Sequence, residues 1–317
     1  MDKRQELASI GEIESGFARL GYICSPRIAT AVFLAAKLRK PVLVEGPPGV
    51  GKTELAKTAA TLLELPLLRL QCYEGLDEAK ALYEWKYGKQ LLYTQVLKEK
   101  LGELLDGAQG LAESVERLHR FGDVFYSEEF LEPRPLLQAM QQPAGAVLLI
   151  DEIDKSDQEF ESLLLEILSD YQVSIPEIGT VHAVSTPLVF LTSNNTRDVS
   201  DALKRRCLHL HIPFPSIQLE TRILESRVPD IAVSMRQQLV AFVHALRELD
   251  LKKQPAISET IDWARSLLLL HATDLEETLV KDTLNVLLKF EQDIESAESE
   301  MASLLRTAKT GDRFGHS

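Results

Sequence analysis

The run GPPGVGKT at Gly46 to Thr53 constrains the fold more than any other feature of this chain. It satisfies G-x-x-x-x-G-K-[ST] at every fixed position. The apolar run Val42-Leu43-Val44 precedes it, and a segment of helical spacing from Lys52 to Leu65 follows. A loop between a strand and a helix is where such a run can work. Glycines let main-chain amides turn inward around phosphates, and the helix N-terminus adds a favourable dipole. Lys52 then reaches the β and γ phosphates, and the Thr53 hydroxyl is offered to magnesium. The phosphate cradle comprises Gly46, Pro47, Pro48, Gly49, Val50, Gly51, Lys52 and Thr53, with Glu54 following on the helix.

The complement of that loop is VLLIDE at Val147 to Glu152, a buried strand ending in two acids. Asp151 would hold the water shell of magnesium, and Glu152 would polarise an attacking water as general base. An acidic strand end in isolation is often a solvated turn, a reading that weakens beside the glycine loop. Further apolar runs at Leu67–Leu70, Leu188–Thr192 and Leu208–Ile212 alternate with helical segments. That alternation predicts an α/β fold, a parallel sheet sandwiched by helices. Between them, QVSIP and TVHAV around EIG predict a β-hairpin over Val173–Val184. After Pro213 and Pro215 no strand pattern remains. Helical periodicity is expected over 219–228, 234–249, 258–272 and 275–299, with acidic Glu291–Glu300 as the solvated, fraying end of the last helix. The boundary between an α/β domain and a helical domain is expected near Pro215, giving 1–215 and 216–317.

The Leu188 strand ends in LTSNN, where Asn194 or Asn195 would present an amide toward the phosphates; a loop cap is the alternative. DALKRRC at Asp201 to Cys207 sets three successive cations before the next strand. These suit either transition-state stabilisation from an adjoining subunit or a basic surface patch. With 35 basic and 48 acidic side chains the net charge is −13, which argues against a nucleic-acid partner. Cys24, Cys72 and Cys207 are odd in number and widely spaced, so free thiols in a reducing compartment are expected. No apolar run approaches membrane-spanning length, and the charged stretch Met1–Phe17 lacks the pattern of a signal peptide. A cytoplasmic location without membrane contact is expected.

Taken in order, GPPGVGKT, VLLIDE, QVSIPEIGTV, LTSNN and DALKRRC resemble the AAA+ ATPases, specifically the MoxR family. QCYEGLDEAKALYEW at Gln71–Trp85 and RPLLQAM at Arg134–Met140 look like its CoxD-like subgroup. The resemblance implies a P-loop NTPase with a pre-sensor-1 β-hairpin and a C-terminal all-α lid, binding ATP and Mg2+. It implies that Asn194 is sensor 1, with Asn195 second, and that Arg206 is an arginine finger, with Arg205 second. Tyr22 and Ile23 would line the adenine pocket, although by sequence they could equally be core. The segment Tyr73–Trp85 matches the family's pore-facing region, where aromatic packing is the plainer reading. A hexameric ring, a protein client, a von Willebrand factor A domain partner and metalloenzyme maturation are further implications. One departure is visible: the usual sensor 2 arginine position reads Ser258, with Arg265 as a candidate substitute. A nucleic-acid motor and a nucleotide-gated binding module remain open alternatives.

Overall fold

In the computed structural model, residues 7–96, 127–176 and 178–310 are described. Residues 1–6, 97–126, 177 and 311–317 lie outside them. The chain opens with α1 (Ile10–Arg19) and α2 (Pro26–Leu38). Ser9 caps α1 by accepting from the Glu12 amide, and Pro26 pre-sets the first turn of α2. Left-handed Arg39 ends α2 just before β1 (Val42–Glu45).

Next come α3 (Lys52–Leu63), β2 (Leu67–Gln71), α4 (Glu78–Ala81), β3 (Tyr83–Trp85) and α5 (Tyr87–Val96). After the gap follow β4 (Leu131–Pro133), α6 (Pro135–Gln141), β5 (Val147–Asp151), α7 (Gln158–Asp170), β6 (Gln172–Ile175) and β7 (Gly179–His182). The core of the first region closes with β8 (Leu188–Ser193), α8 (Asp201–Arg206) and β9 (Leu208–His211).

The predicted parallel sheet is present, with strand order β2-β5-β8-β1-β9. Its three central strands, β5, β8 and β1, are apolar on both faces, as the middle of a sheet covered on both sides requires, while edge strands β2 and β9 alternate apolar with polar residues. Val147 and Leu149 face a layer built with α1, α2 and α3, whereas Leu148 and Ile150 face one built with α6, α7 and α8. The hairpin of β6 and β7 pairs Gln172 with His182 through Ile175 with Gly179. Sequence periodicity gave no sign of the antiparallel pair β3–β4, where Trp85 opposes Leu131. Trp85 is buried there, while Tyr73 lies exposed with the Lys80 ammonium 5.9 Å from its ring. The three cysteines are unpaired, Cys72 buried and the other two half-buried.

Beyond Pro213 the described chain is helical: α9 (Ile217–Arg227), α10 (Val233–Arg247), α11 (Ile257–Leu269), α12 (Glu277–Leu287), α13 (Glu291–Ser299) and α14 (Met301–Thr310). These have an apolar core of their own around Leu239, Phe242 and Trp263. Inside it, Glu220 is fully buried and accepts from Arg247 at 2.6 and 2.9 Å, from Thr260 at 2.8 Å and lies 2.9 Å from His244.

The single helix expected over 275–299 is not formed. The chain turns extended at Leu288 and restarts at Glu291, with a third helix after Glu300. The acidic stretch is therefore no fraying end. Asp293 is buried and accepts from the Lys252 and Lys253 amides, pinning α13 to the preceding loop, while the Lys252 ammonium sits 4.3 Å from the Phe290 ring. The break also buries Leu287 and Leu288 in succession, which an unbroken helix with one apolar face would resist. Among the described residues no helix is long and apolar enough to cross a membrane.

Candidate nucleotide site

The loop from Gly46 to Gly51 turns sharply because three of its glycines adopt positive φ. At Gly46 a Cβ would lie 2.1 Å from the Ile212 carbonyl, so β9 runs directly behind the loop. At Gly49 it would meet Ser258 and Ala256, the entry to α11.

Lys52 starts α3 and is buried. Its ammonium donates to the carbonyls of Gly46 and Pro47 at 2.6 and 2.7 Å and to Asn194 Oδ1 at 2.7 Å. Burial pulls its pKa down to about 8, against the opposing pull of Asp154, Asp151 and Glu152. Thr53 Oγ1 donates to the Asp151 carboxylate at 3.1 and 3.3 Å. Asp151, at the end of β5, also accepts from Thr192 at 2.5 Å and from the Arg69 guanidinium at 2.6 and 3.0 Å.

Glu152 takes left-handed backbone geometry, φ 59°, turning the chain out of the sheet. Its amide donates to Thr192 Oγ1, and its carboxylate accepts from Gln71 at 2.8 Å, Lys155 at 2.6 Å and, at 3.5 Å, Asn194. Asn194, and not Asn195, faces Lys52. Asn195 turns away at φ 59° and accepts from Ser193.

Lys52, Thr53, Asp151, Glu152, Thr192 and Asn194 surround one cavity of about 270 Å³, together with Pro48, Gly49, Gly51, Glu54 and Ser258. Pro47 contributes only its carbonyl to Lys52. A second cavity of about 320 Å³ shares Gly49, Gly51, Glu54 and Ser258 and is otherwise mostly apolar, walled by Tyr22, Ile23, Val50, Ile212, Ile223 and Ile257. Tyr22 is both buried against Phe17 and on this wall, and burial raises its phenol pKa. Arg227 of α9 donates to Glu54 across this cavity at 2.8 Å. Its mostly apolar lining beside the glycine loop suits a heteroaromatic base.

Arg205 and Arg206 line neither cavity. Arg206 donates instead to Ser169 Oγ at 2.8 Å and to the Ala202 carbonyl, on the face of α8 that meets α7. Ser258 borders both cavities and donates to Glu259, while Arg265 lies on the apolar cavity, 3.6 Å from Asp262.

Sequence reasoning missed Arg69, Gln71, Thr192 and Arg227. The first two had a signal: LLRLQ alternates apolar and polar residues, and Gln71 is in register with Asp151. Thr192 sat inside an apolar strand, and Arg227 in a helix far along the chain.

The donor set of a Thr hydroxyl and an Asp carboxylate, 3.1 Å apart at the cavity wall, fits magnesium, a hard ion that keeps waters and phosphate oxygens as its other ligands.

An uncharacterized protein of Staphylococcus aureus (strain bovine RF122) is 27% identical over 238 residues, covering 73% of this chain and 76% of that protein. The denitrification regulatory protein NirQ of Pseudomonas aeruginosa is 24% identical over 218 residues, covering 66% and 68% respectively. Among solved structures, the Thermotoga maritima RuvB Holliday junction branch migration motor aligns with a TM-score of 0.46 at 19% identity, over 91% of this chain and 76% of that one. Residues 41–207, more than half of the chain, match the AAA domain of the dynein-related subfamily, and the protein belongs to that family of AAA+ ATPases.

Proposed function

We propose that this protein binds ATP with magnesium and hydrolyses it to ADP and phosphate, using the energy to remodel a protein client. The supporting observation is the convergence of Lys52, Thr53, Asp151, Glu152 and Asn194 on one cavity. Lys52 supplies charge to the β and γ phosphates, for which it exchanges its carbonyl partners. Thr53 and Asp151 would hold magnesium, which would supply positive charge to offset the negative charge developing during phosphoryl transfer. Glu152 accepts the proton of the attacking water, and the Asn194 amide orients that water or the γ phosphate. The apolar cavity seats the base, and its walls from the helical region tie lid position to occupancy.

Arg206 acts from a neighbouring subunit, in keeping with its lying outside both cavities of its own chain. This reading carries with it a hexameric ring of MoxR type in the cytoplasm, with a von Willebrand factor A domain partner and a role in metalloenzyme maturation. Likeness to a protein named for regulating denitrification is in keeping with a factor that acts on other proteins.

The test is phosphate release with Mg·ATP. Wild type should turn over, and Glu152→Gln should bind ATP while losing about two orders of magnitude in rate, because the amide cannot accept the water's proton. Near-normal turnover in this variant would transfer the base role to another group.

A further inference from the structure

Three residues beyond Asp151, Asp154 sits in a short 3-10 turn (Ile153–Lys155) and is 3% exposed. A carboxylate this buried must find donors. All of those it finds lie in the loop after β8: its Oδ2 accepts from the Asn194 amide at 3.2 Å, the Thr196 amide at 3.0 Å and the Thr196 hydroxyl at 2.6 Å. Its Oδ1 is buried without a partner among the described residues. Half a carboxylate left unsatisfied is costly in a purely structural anchor, so the arrangement calls for a reason.

That reason lies in what the loop carries. Glu152 and Asn195 both hold left-handed φ of 59°, one on each side of Asp154. Left-handed geometry is ordinary for Asn195 but uncomfortable for Glu152, where it persists only because the surroundings impose it. The Thr192 hydroxyl ties the Glu152 amide to β8 at 2.9 Å, and Asp154 ties the loop beyond β8 back to the turn beyond β5. Between these two links lie the Glu152 carboxylate and the Asn194 side chain, 3.5 Å apart. Asn194 bonds Lys52 through its other atom at 2.7 Å.

We propose that Asp154 is a positioning residue for hydrolysis: by gripping the main chain of Asn194 and Thr196 it fixes the Asn194 amide relative to Glu152, while touching neither nucleotide nor water. The inference rests on the ATPase reading above. Asp154 makes no bond to the glycine loop, yet it is the first of three carboxylates that hold the Lys52 pKa up, so affinity and rate are compared at pH 6, where Lys52 is charged in every variant and binding separates from rate. A catalytic amide displaced by about 1 Å loses on the order of a hundredfold in rate.

The experiment uses the full chain and measures ATP affinity by calorimetry, kcat and KM by phosphate release, and melting temperature. Asp154→Ala should lower kcat about a hundredfold with ATP affinity within threefold of wild type. Asp154→Asn should recover most of the rate, since an amide oxygen accepts the same three donors. Asn194→Ala should abolish the effect: the double variant Asp154→Ala/Asn194→Ala should be no slower than Asn194→Ala alone, a coupling that an anchor of general stability would not produce.

If Asp154→Ala does not fold, Thr196→Val carries the test, because it deletes only the hydroxyl donor. It should slow wild type several-fold and leave Asn194→Ala unchanged. Wild-type kcat in Asp154→Ala, multiplicative losses with Asn194→Ala, or Asp154→Asn as slow as Asp154→Ala would each overturn the proposal. Absence of hydrolysis in wild type would instead overturn the ATPase reading on which it rests.

Discussion

Lys52 provides a prediction whose sign and size follow from its surroundings. Burial lowers its pKa to about 8, although Asp154, Asp151 and Glu152 all pull the other way. A triphosphate binds the charged ammonium, so the fraction charged before binding sets the apparent affinity. With a pKa of about 8, roughly nine-tenths of the protein is charged at pH 7 and about one-tenth at pH 9. ATP affinity should therefore fall about tenfold over that interval, ~1.4 kcal/mol, whereas a lysine at its ordinary pKa would leave it almost flat.

The stability of the free protein should move oppositely. A folded pKa below the unfolded value means that the unfolded chain holds the extra proton between about pH 8 and 10.5, so the Lys52 contribution to stability rises with pH there. ATP-induced stabilisation should shrink while the free protein loses nothing through this group. Calorimetry at pH 7, 8 and 9, in buffers of differing ionisation enthalpy, measures both the affinity and the proton uptake, about half a proton at pH 8. Lys52→Met serves as control and should show no such uptake. Equal ATP affinity at pH 7 and 9, or binding without proton uptake at pH 8, would refute the reasoning.

Two further outcomes are expected. Arg206→Ala, whose side chain donates to Ser169 and the Ala202 carbonyl among the described residues, should bind ATP normally and lose about 10³-fold or more in turnover. Mixing it with Lys52→Ala should restore activity at interfaces that pair an intact loop with an intact Arg206, and mixed rings that stay inactive would refute action in trans. Arg247→Met leaves Glu220 buried without its bidentate partner and should destabilise the helical region by about 3–5 kcal/mol in chemical denaturation. A loss below about 1 kcal/mol would mean that Thr260 and His244 suffice.

The sheet was legible because β1, β5 and β8 are buried on both faces, and such strands read as continuous apolar runs. The helical split of 275–299 was not, because Asp293 looks in sequence like any other acid of its run. Only the two amides of the 252–253 loop reveal that it is an internal cap. The glycine loop and the Asp151–Glu152 pair announce themselves through spacing along the chain. Thr192, Asp154 and Arg227 matter through what lies across space, and sequence spacing carries no trace of it. The choice between Asn194 and Asn195 also needed backbone geometry, since one residue's left-handed turn sends its neighbour's amide toward Lys52.

The bonds that make the nucleotide site join residues remote in the chain: 142 positions separate Lys52 from Asn194, 98 separate Thr53 from Asp151, and 82 separate Arg69 from Asp151. During synthesis, a nascent chain that has delivered the glycine loop but not β8 has no Asn194 to meet Lys52. Chain growth at about 5–20 residues per second puts several seconds or more between the emergence of Lys52 and that of Asn194. Through that interval the loop is a phosphate cradle without its opposite wall, so a ribosome-bound fragment ending before β8 has no complete hydrolytic apparatus. Placement of β8 beside β1 and β5 and arrival of the wall opposite Lys52 are thus one event, which only the edge strand β9 and the helical region follow.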